Sequence, residues 1–111
     1  MKHIHNKLVR DNIPIIIFND HKTAKIRTLN DDEYLIYLKL KLIEEAKEVN
    51  TTQNAVELKN ELADILEVIE AILTFSQISI QEVVKFKENK ALKNGKFNKR
   101  IFLESVENIN E

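Results

Sequence analysis

"KLIEEAKEV" (residues 41–49) and "NELADILEV" (residues 60–68) decide how this chain is read. Both are built of helix-forming residues, yet acidic side chains fall where aliphatic ones should pack. Positions three, four and seven apart share a helix face. By that count the first run continues a stripe of Leu35, Leu38, Leu42 and Val49, and the next place after Leu42 is Glu45. The second run belongs to a stripe of Leu58, Leu62, Ile65, Ile69 and Ile72. Glu61 and Asp64 flank that stripe, about 60° apart on the helical wheel. Glu67 and Glu70 point elsewhere, as solvated charges do.

Helix starts are legible from capping boxes, in which a cap side chain and the residue three later satisfy free backbone donors. Asn30-Asp-Asp-Glu33 opens a helix over 31–49, Asn54-Ala-Val-Glu57 one over 55–75, and Ser79-Ile-Gln-Glu82 one over 80–93 that stops at Asn94-Gly95. A shorter helix over 11–19 starts at Asp11, as its cap, and takes Pro14 in its first turn, where a missing N–H costs little. Residues 20–29 have no helical period, and Ile26 to Leu29 read as extended. The stretch from Lys96 onward reads as an irregular or short helical tail. No repeat, low-complexity segment or linker divides the 111 residues, so one domain is expected.

The short connection around 50–55 makes the two long helices an antiparallel pair. Counted back from that turn, Glu45 and Glu61 stand at similar heights, with Glu48 and Asp64 about one turn to either side. Four carboxylates in one groove repel one another unless some stay protonated or a cation joins them. Hard oxygen ligands suit Mg²⁺ or Mn²⁺. A Glu-Glu-x-x-Glu run alone is more often a solvated face. The second acidic pair beside the neighbouring stripe is what shifts the balance toward metal.

Composition narrows the chemistry. There is no cysteine, which excludes disulfides, thiolate metal sites and cysteine nucleophiles. A single glycine excludes a glycine-rich phosphate cradle. No apolar run approaches the roughly 20 residues that span a bilayer, and the N-terminus lacks the apolar core of a signal peptide. A soluble, cytoplasmic protein without membrane contact is expected. Charge runs basic, acidic, basic: residues 31–70 hold eleven acidic and four basic side chains, whereas 85–100 hold seven basic and one acidic. The acidic middle argues against stable nucleic-acid binding. It allows a small phosphate ligand that a cation bridges. His3 and His5 read as terminal residues rather than a metal pair, and most phenylalanines as core or interface.

Glu44-Glu45-Ala-Lys-Glu48, a gap of twelve residues, and Glu61-Leu-Ala-Asp64 together resemble the EExxE…ExxD signature of the MazG-like all-α NTP pyrophosphohydrolases. "NKLVRDNIP" (6–14) is similar to the N-terminal block of a compact subgroup, often labelled phosphoribosyl-ATP pyrophosphohydrolase-like. "KALKNGKFNKRIFLE" (90–104) is similar to that subgroup's C-terminal block. The resemblance spans nearly the whole chain. It implies an antiparallel helix pair within a four-helix bundle, completed by the other helices or by a second copy. Two long amphipathic helices in so short a chain leave apolar surface to cover, so a homodimer or tetramer is expected. The resemblance implies a metal site of Glu45, Glu48, Glu61 and Asp64, with Glu44 as an outer partner or helper in water activation. It also implies that Lys7, Arg10, Lys87, Lys90 and Arg100 bind substrate phosphates. Two positions depart from the pattern. Asn12 replaces a lysine, and Asn94-Gly95-Lys96 replaces Arg-Gly-Gly, leaving Lys93 or Lys96 to supply that phosphate contact.

The expected activity is hydrolysis of a nucleoside triphosphate between its α and β phosphorus atoms, yielding monophosphate and pyrophosphate and clearing unwanted nucleotides. Two alternatives stand beside it. One is phosphoribosyl-ATP pyrophosphohydrolase, with the same bond chemistry. The other is a non-catalytic helical assembly module, which has no use for Glu45 on its packing stripe.

Overall fold

In the computed structural model, which describes residues 1–109, four helices follow one another. They are α1 (Ile13–Asn19), α2 (Asp31–Val49), α3 (Ala55–Ser76) and α4 (Ile80–Asn94). The described residues contain no strand, so the protein is all-α. None of these helices is long and apolar enough to cross a membrane. The chain forms two compact units, Met1–Ile78 and the part from Ser79 onward.

The long helices begin where side chains can replace missing hydrogen-bond acceptors. Asn30 accepts from the Glu33 amide at 2.9 Å, and Glu33 reaches back to the Asn30 amide. Ser79 and Glu82 close the same reciprocal box on α4. Asn54 caps α3 only by half. It accepts from the Glu57 amide at 2.9 Å, but Glu57 turns to the Gln53 amide and the Asn54 side-chain amide instead. The reading of α1 needs correction. Its cap is Asn12, not Asp11, and Asn12 makes no side-chain cap bond. Asn12 already has helical angles (φ −91°, ψ −1°), whereas a capping side chain needs the extended backbone seen at Asn30, Asn54 and Ser79.

The first unit is organised by α2 packing on α3. Tyr34, at the start of α2, meets Phe75, at the end of α3, edge to face at 5.2 Å. Glu45 and Glu61 meet near the opposite ends, so the pair is antiparallel. The connection needs no glycine. Thr51 and Thr52 hydroxyls donate to the Glu48 and Val49 carbonyls at 2.8 Å each, satisfying acceptors that α2 leaves open.

The packed face of α2 follows the expected stripe, with Leu38 only 2% exposed and Glu45 8% exposed. The packed face of α3 is rotated from the expected one. The difference lies in its first half, where Leu58 and Leu62 are exposed; Ile65, Ile69 and Ile72 of the expected stripe are half-buried, as are Glu61 and Asp64, and Val68 is buried. Glu61, Asp64, Ile65, Val68 and Ile72 share one face by the three-four rule, so both acids sit on the packing face itself rather than its flank. Among the described residues, Leu38 and Val68 are the only buried apolar side chains.

In the second unit, α4 ends at Gly95, whose φ of 85° suits a residue without a Cβ. Beyond it, Phe97 to Arg100 form a turn closed by the Arg100 amide on the Phe97 carbonyl. The described tail is otherwise irregular. Ala91 alone in the described part of this unit escapes full exposure.

Candidate metal centre

Glu45 enters the site from α2, and Glu61 and Asp64 enter it from adjacent turns of α3. Each can direct one carboxylate oxygen into a group whose members all lie within 4.8 Å of one another. Glu48 does not join them. It lies exposed near the end of α2, though its charge is still felt at Glu61.

Three carboxylates so close raise the proton affinity of at least one. Glu61 is the one affected: its pKa is held above the ordinary carboxylate value. Occlusion from water is the main cause. The hydrogen bond that a protonated Glu61 gives Glu45 comes next, followed by the negative charges of Glu45, Asp64 and Glu48. Glu61 is half-buried as a residue, and its Oε2 atom is occluded with no hydrogen-bond partner. An orphaned carboxylate oxygen on a packing face is a costly arrangement that a ligand can relieve.

Cations surround the group unevenly. Arg10 donates from Nη2 to Asp64 Oδ1 at 2.7 Å, and its Nη1 stands 3.7 Å from Glu67. Arg10 is thus held by two carboxylates of α3. Lys7 approaches Glu44 at 3.5 Å. Lys41, one turn before the acidic run, places its ammonium 2.5 Å from Glu44 Oε2 and 3.6 Å from Glu45. That contact is an ion pair rather than a well-aligned hydrogen bond, since Glu44 Oε2 gains no properly angled donor. Lys41 holds Glu44 below the ordinary carboxylate value, with the charge of Lys7 adding to the effect. Burial works to lower the Lys41 pKa, but Glu44 and Glu45 outweigh it and leave Lys41 raised. Glu61 has no such cation among the described residues.

The donor set fits a hard divalent cation. Oxygens around Mg²⁺ at about 2.1 Å lie no more than about 4.2 Å apart. Small rotations of two long glutamates and one aspartate would close the 4.8 Å spread. The occluded Glu61 oxygen is the clearest ligand still to be satisfied.

Of the basic residues singled out in the sequence, Lys7 and Arg10 stand at these carboxylates. Lys87 and Lys90 lie exposed on α4, and Arg100 follows in the turn with a φ of 58°. Lys41 was missed. Its signal was its place four residues before Glu45, where a basic side chain faces the acid on the same helix side. No family model, curated protein or solved structure matches this chain.

Proposed function

We propose that the protein is a divalent-metal-dependent nucleoside triphosphate pyrophosphohydrolase of the MazG-like type. The observation that carries this reading is the convergence of Glu45, Glu61 and Asp64 on one packing face, with Glu61 lacking a counter-cation among the described residues. The three motif blocks that resemble the family supply the reaction class.

Glu45, Glu61 and Asp64 would hold the cation, with Glu48, exposed near the end of α2, adding its negative charge. Mg²⁺ or Mn²⁺ held by these residues would supply charge neutralisation for phosphate oxygens and make water easier to deprotonate. Glu44 is kept ionised by Lys41 and Lys7, so it can accept a hydrogen bond from the attacking water and orient it. Lys7 and Arg10, which stand at the acids of the first unit, bind the phosphates and stabilise charge on the departing pyrophosphate. Water adds across the α–β anhydride, so one monophosphate and one pyrophosphate leave. Phosphoribosyl-ATP would undergo the same cleavage, and only substrate preference separates the two readings.

The active form in this proposal is a dimer or a higher assembly. Ile36, Leu40 and Ile43 form an exposed apolar row on α2, and Leu58, Leu62 and Leu66 form another on α3. Rows of that length ordinarily find cover. The same rows favour the second reading, an assembly module without catalysis.

Pyrophosphate release from a panel of nucleoside triphosphates and phosphoribosyl-ATP, with Mg²⁺ and with EDTA, separates these outcomes. The enzyme reading expects Mg²⁺-dependent release that Glu61→Gln abolishes. No release from any substrate, by folded protein that still self-associates, would leave the assembly module standing.

A further inference from the structure

We propose that the segment carrying Lys7 and Arg10 is a displaceable cationic strap, in which Arg10 competes with the divalent metal for Asp64. The inference rests on the metal-site reading above and concerns how that site is loaded. Arg10 and Asp64 are 54 positions apart, and theirs is the one side-chain hydrogen bond among the described residues that joins segments so distant. Asp64, which takes that bond on Oδ1, is also one of the three carboxylates a metal would draw on. A guanidinium on that oxygen and a cation drawing on the same carboxylate oppose each other.

The geometry lets the side chain leave without disturbing the backbone. The Arg10 carbonyl accepts from the Ile13 amide at 3.1 Å, which fixes the main chain at the entrance to α1. The side chain itself is 55% exposed, so its grip on Asp64 is that of a solvent-screened pair. Multivalent cations outcompete such pairs for a cluster of carboxylates. In the metal-free state Arg10 offsets the charge of Asp64, and Lys7 and Lys41 do the same for Glu44 and Glu45. Lys41 is fixed on α2 and stays close to its partners. Arg10 reaches α3 from a segment outside the helix pair, so it is the member that departs. Once released, the same guanidinium is free for a phosphate oxygen. Metal loading thereby converts a ligand-blocking residue into a substrate-binding one.

The test is Mn²⁺ binding by calorimetry to the full chain and to Arg10→Met, which keeps an apolar stem without the charge. A second reading is the rate of trypsin cleavage after Arg10 in the unmutated chain, with and without Mn²⁺. Competition predicts that Arg10→Met binds Mn²⁺ about two- to fivefold more tightly, the span an exposed ion pair allows. It also predicts faster cleavage after Arg10 when Mn²⁺ is present, because the freed side chain can enter the protease. Unchanged or weaker Mn²⁺ binding by Arg10→Met, in a chain that does bind Mn²⁺, overturns the strap and leaves the metal site intact. No Mn²⁺ binding by either protein overturns the metal site and the strap together. Circular dichroism of both proteins confirms that each is folded when read.

Discussion

The two units of this chain use the same local grammar and reach different ends. Both contain a helix opened by a complete reciprocal cap, Asn30 with Glu33 in one and Ser79 with Glu82 in the other. Both carry a generous share of aliphatic residues. In the first unit α2 finds α3, and the pair buries Leu38, Val68 and Glu45. In the second, α4 and the tail leave Val83, Phe86, Leu92, Phe97, Ile101 and Phe102 exposed. Capping decides where a helix starts, but only a facing helix decides what it buries. The chemistry follows the burial. Glu61, on a packed face, acquires a raised proton affinity and an oxygen without a partner, whereas the lysines of α4 lie exposed.

The sharpest way to break this contrast is to alter an acid on the packed face. Glu61→Gln should reduce Mn²⁺ affinity by about a hundredfold or more, since even outer partners of metal ligands cost 10–100-fold. Pyrophosphate release should fall with it. The same change should raise the melting temperature in EDTA, because a neutral amide no longer confronts Glu45 and Asp64. A Glu61→Gln protein that binds metal normally would remove the site from this face.

The next largest effect concerns stability. Leu38→Ala should cost about 2–4 kcal/mol by chemical denaturation, since Leu38 is 2% exposed where α2 meets α3. Leu92→Ala, at a side chain 86% exposed, should stay within about 0.5 kcal/mol. A large cost at Leu92 would mean that α4 is covered in solution, by another copy or another surface, and would narrow the difference between the units.

How far the sequence carried depended on the range of the forces involved. Helix limits are set within a few residues by caps and breakers, and those of α2, α3 and α4 fell within a residue of expectation. Glu45 was legible because it interrupts a stripe on its own helix. The rotation of α3 was not legible. Val68 and Leu62 are equally apolar, and only the opposing surface of α2 selects between the faces they belong to. Helix height and the EExxE resemblance both put Glu48 in the groove, but height does not fix angle, and Glu48 lies exposed. The link from Arg10 to Asp64 could not be foreseen either, because no local period connects a pre-helical arginine to a residue 54 positions later. Asp11 looked like a cap from its residue type, but the backbone at Asn12 was already helical.

Caps offer a smaller test of the same point inside one unit. Asn54→Ala removes an acceptor that the Glu57 amide uses at 2.9 Å and should cost about 1 kcal/mol. Asn12→Ala, at a cap position with no side-chain cap bond, should cost far less. Equal costs would mean that Asn12 serves some other contact in solution.

The smallest effect, and the one most specific to the acidic face, is a difference of sign between two glutamates of the first unit. Glu33 is held below the ordinary carboxylate value, first by its hydrogen bonds from Arg27, at 2.9 and 3.0 Å, and then by the Asn30 amide. A carboxylate with a depressed folded pKa stabilises the fold above its unfolded pKa and loses that contribution as pH falls. Glu61 is raised, so its contribution runs the other way: it is present below the unfolded value and is lost as pH rises through the folded one. Melting temperatures in EDTA across that range should therefore separate two variants. Glu33→Gln should be less stable than the unmutated chain at neutral pH and converge with it below the ordinary glutamate value of about 4.3. Glu61→Gln should match the unmutated chain at low pH and gain on it as pH rises. Saturating Mn²⁺ should erase or reverse that gain, because the ligated carboxylate is then stabilised in its ionised form. The Glu33 difference should be indifferent to Mn²⁺. If both variants respond to pH in the same direction, the acids at Glu61 are not crowded in solution, and the packed face is no different from the exposed one.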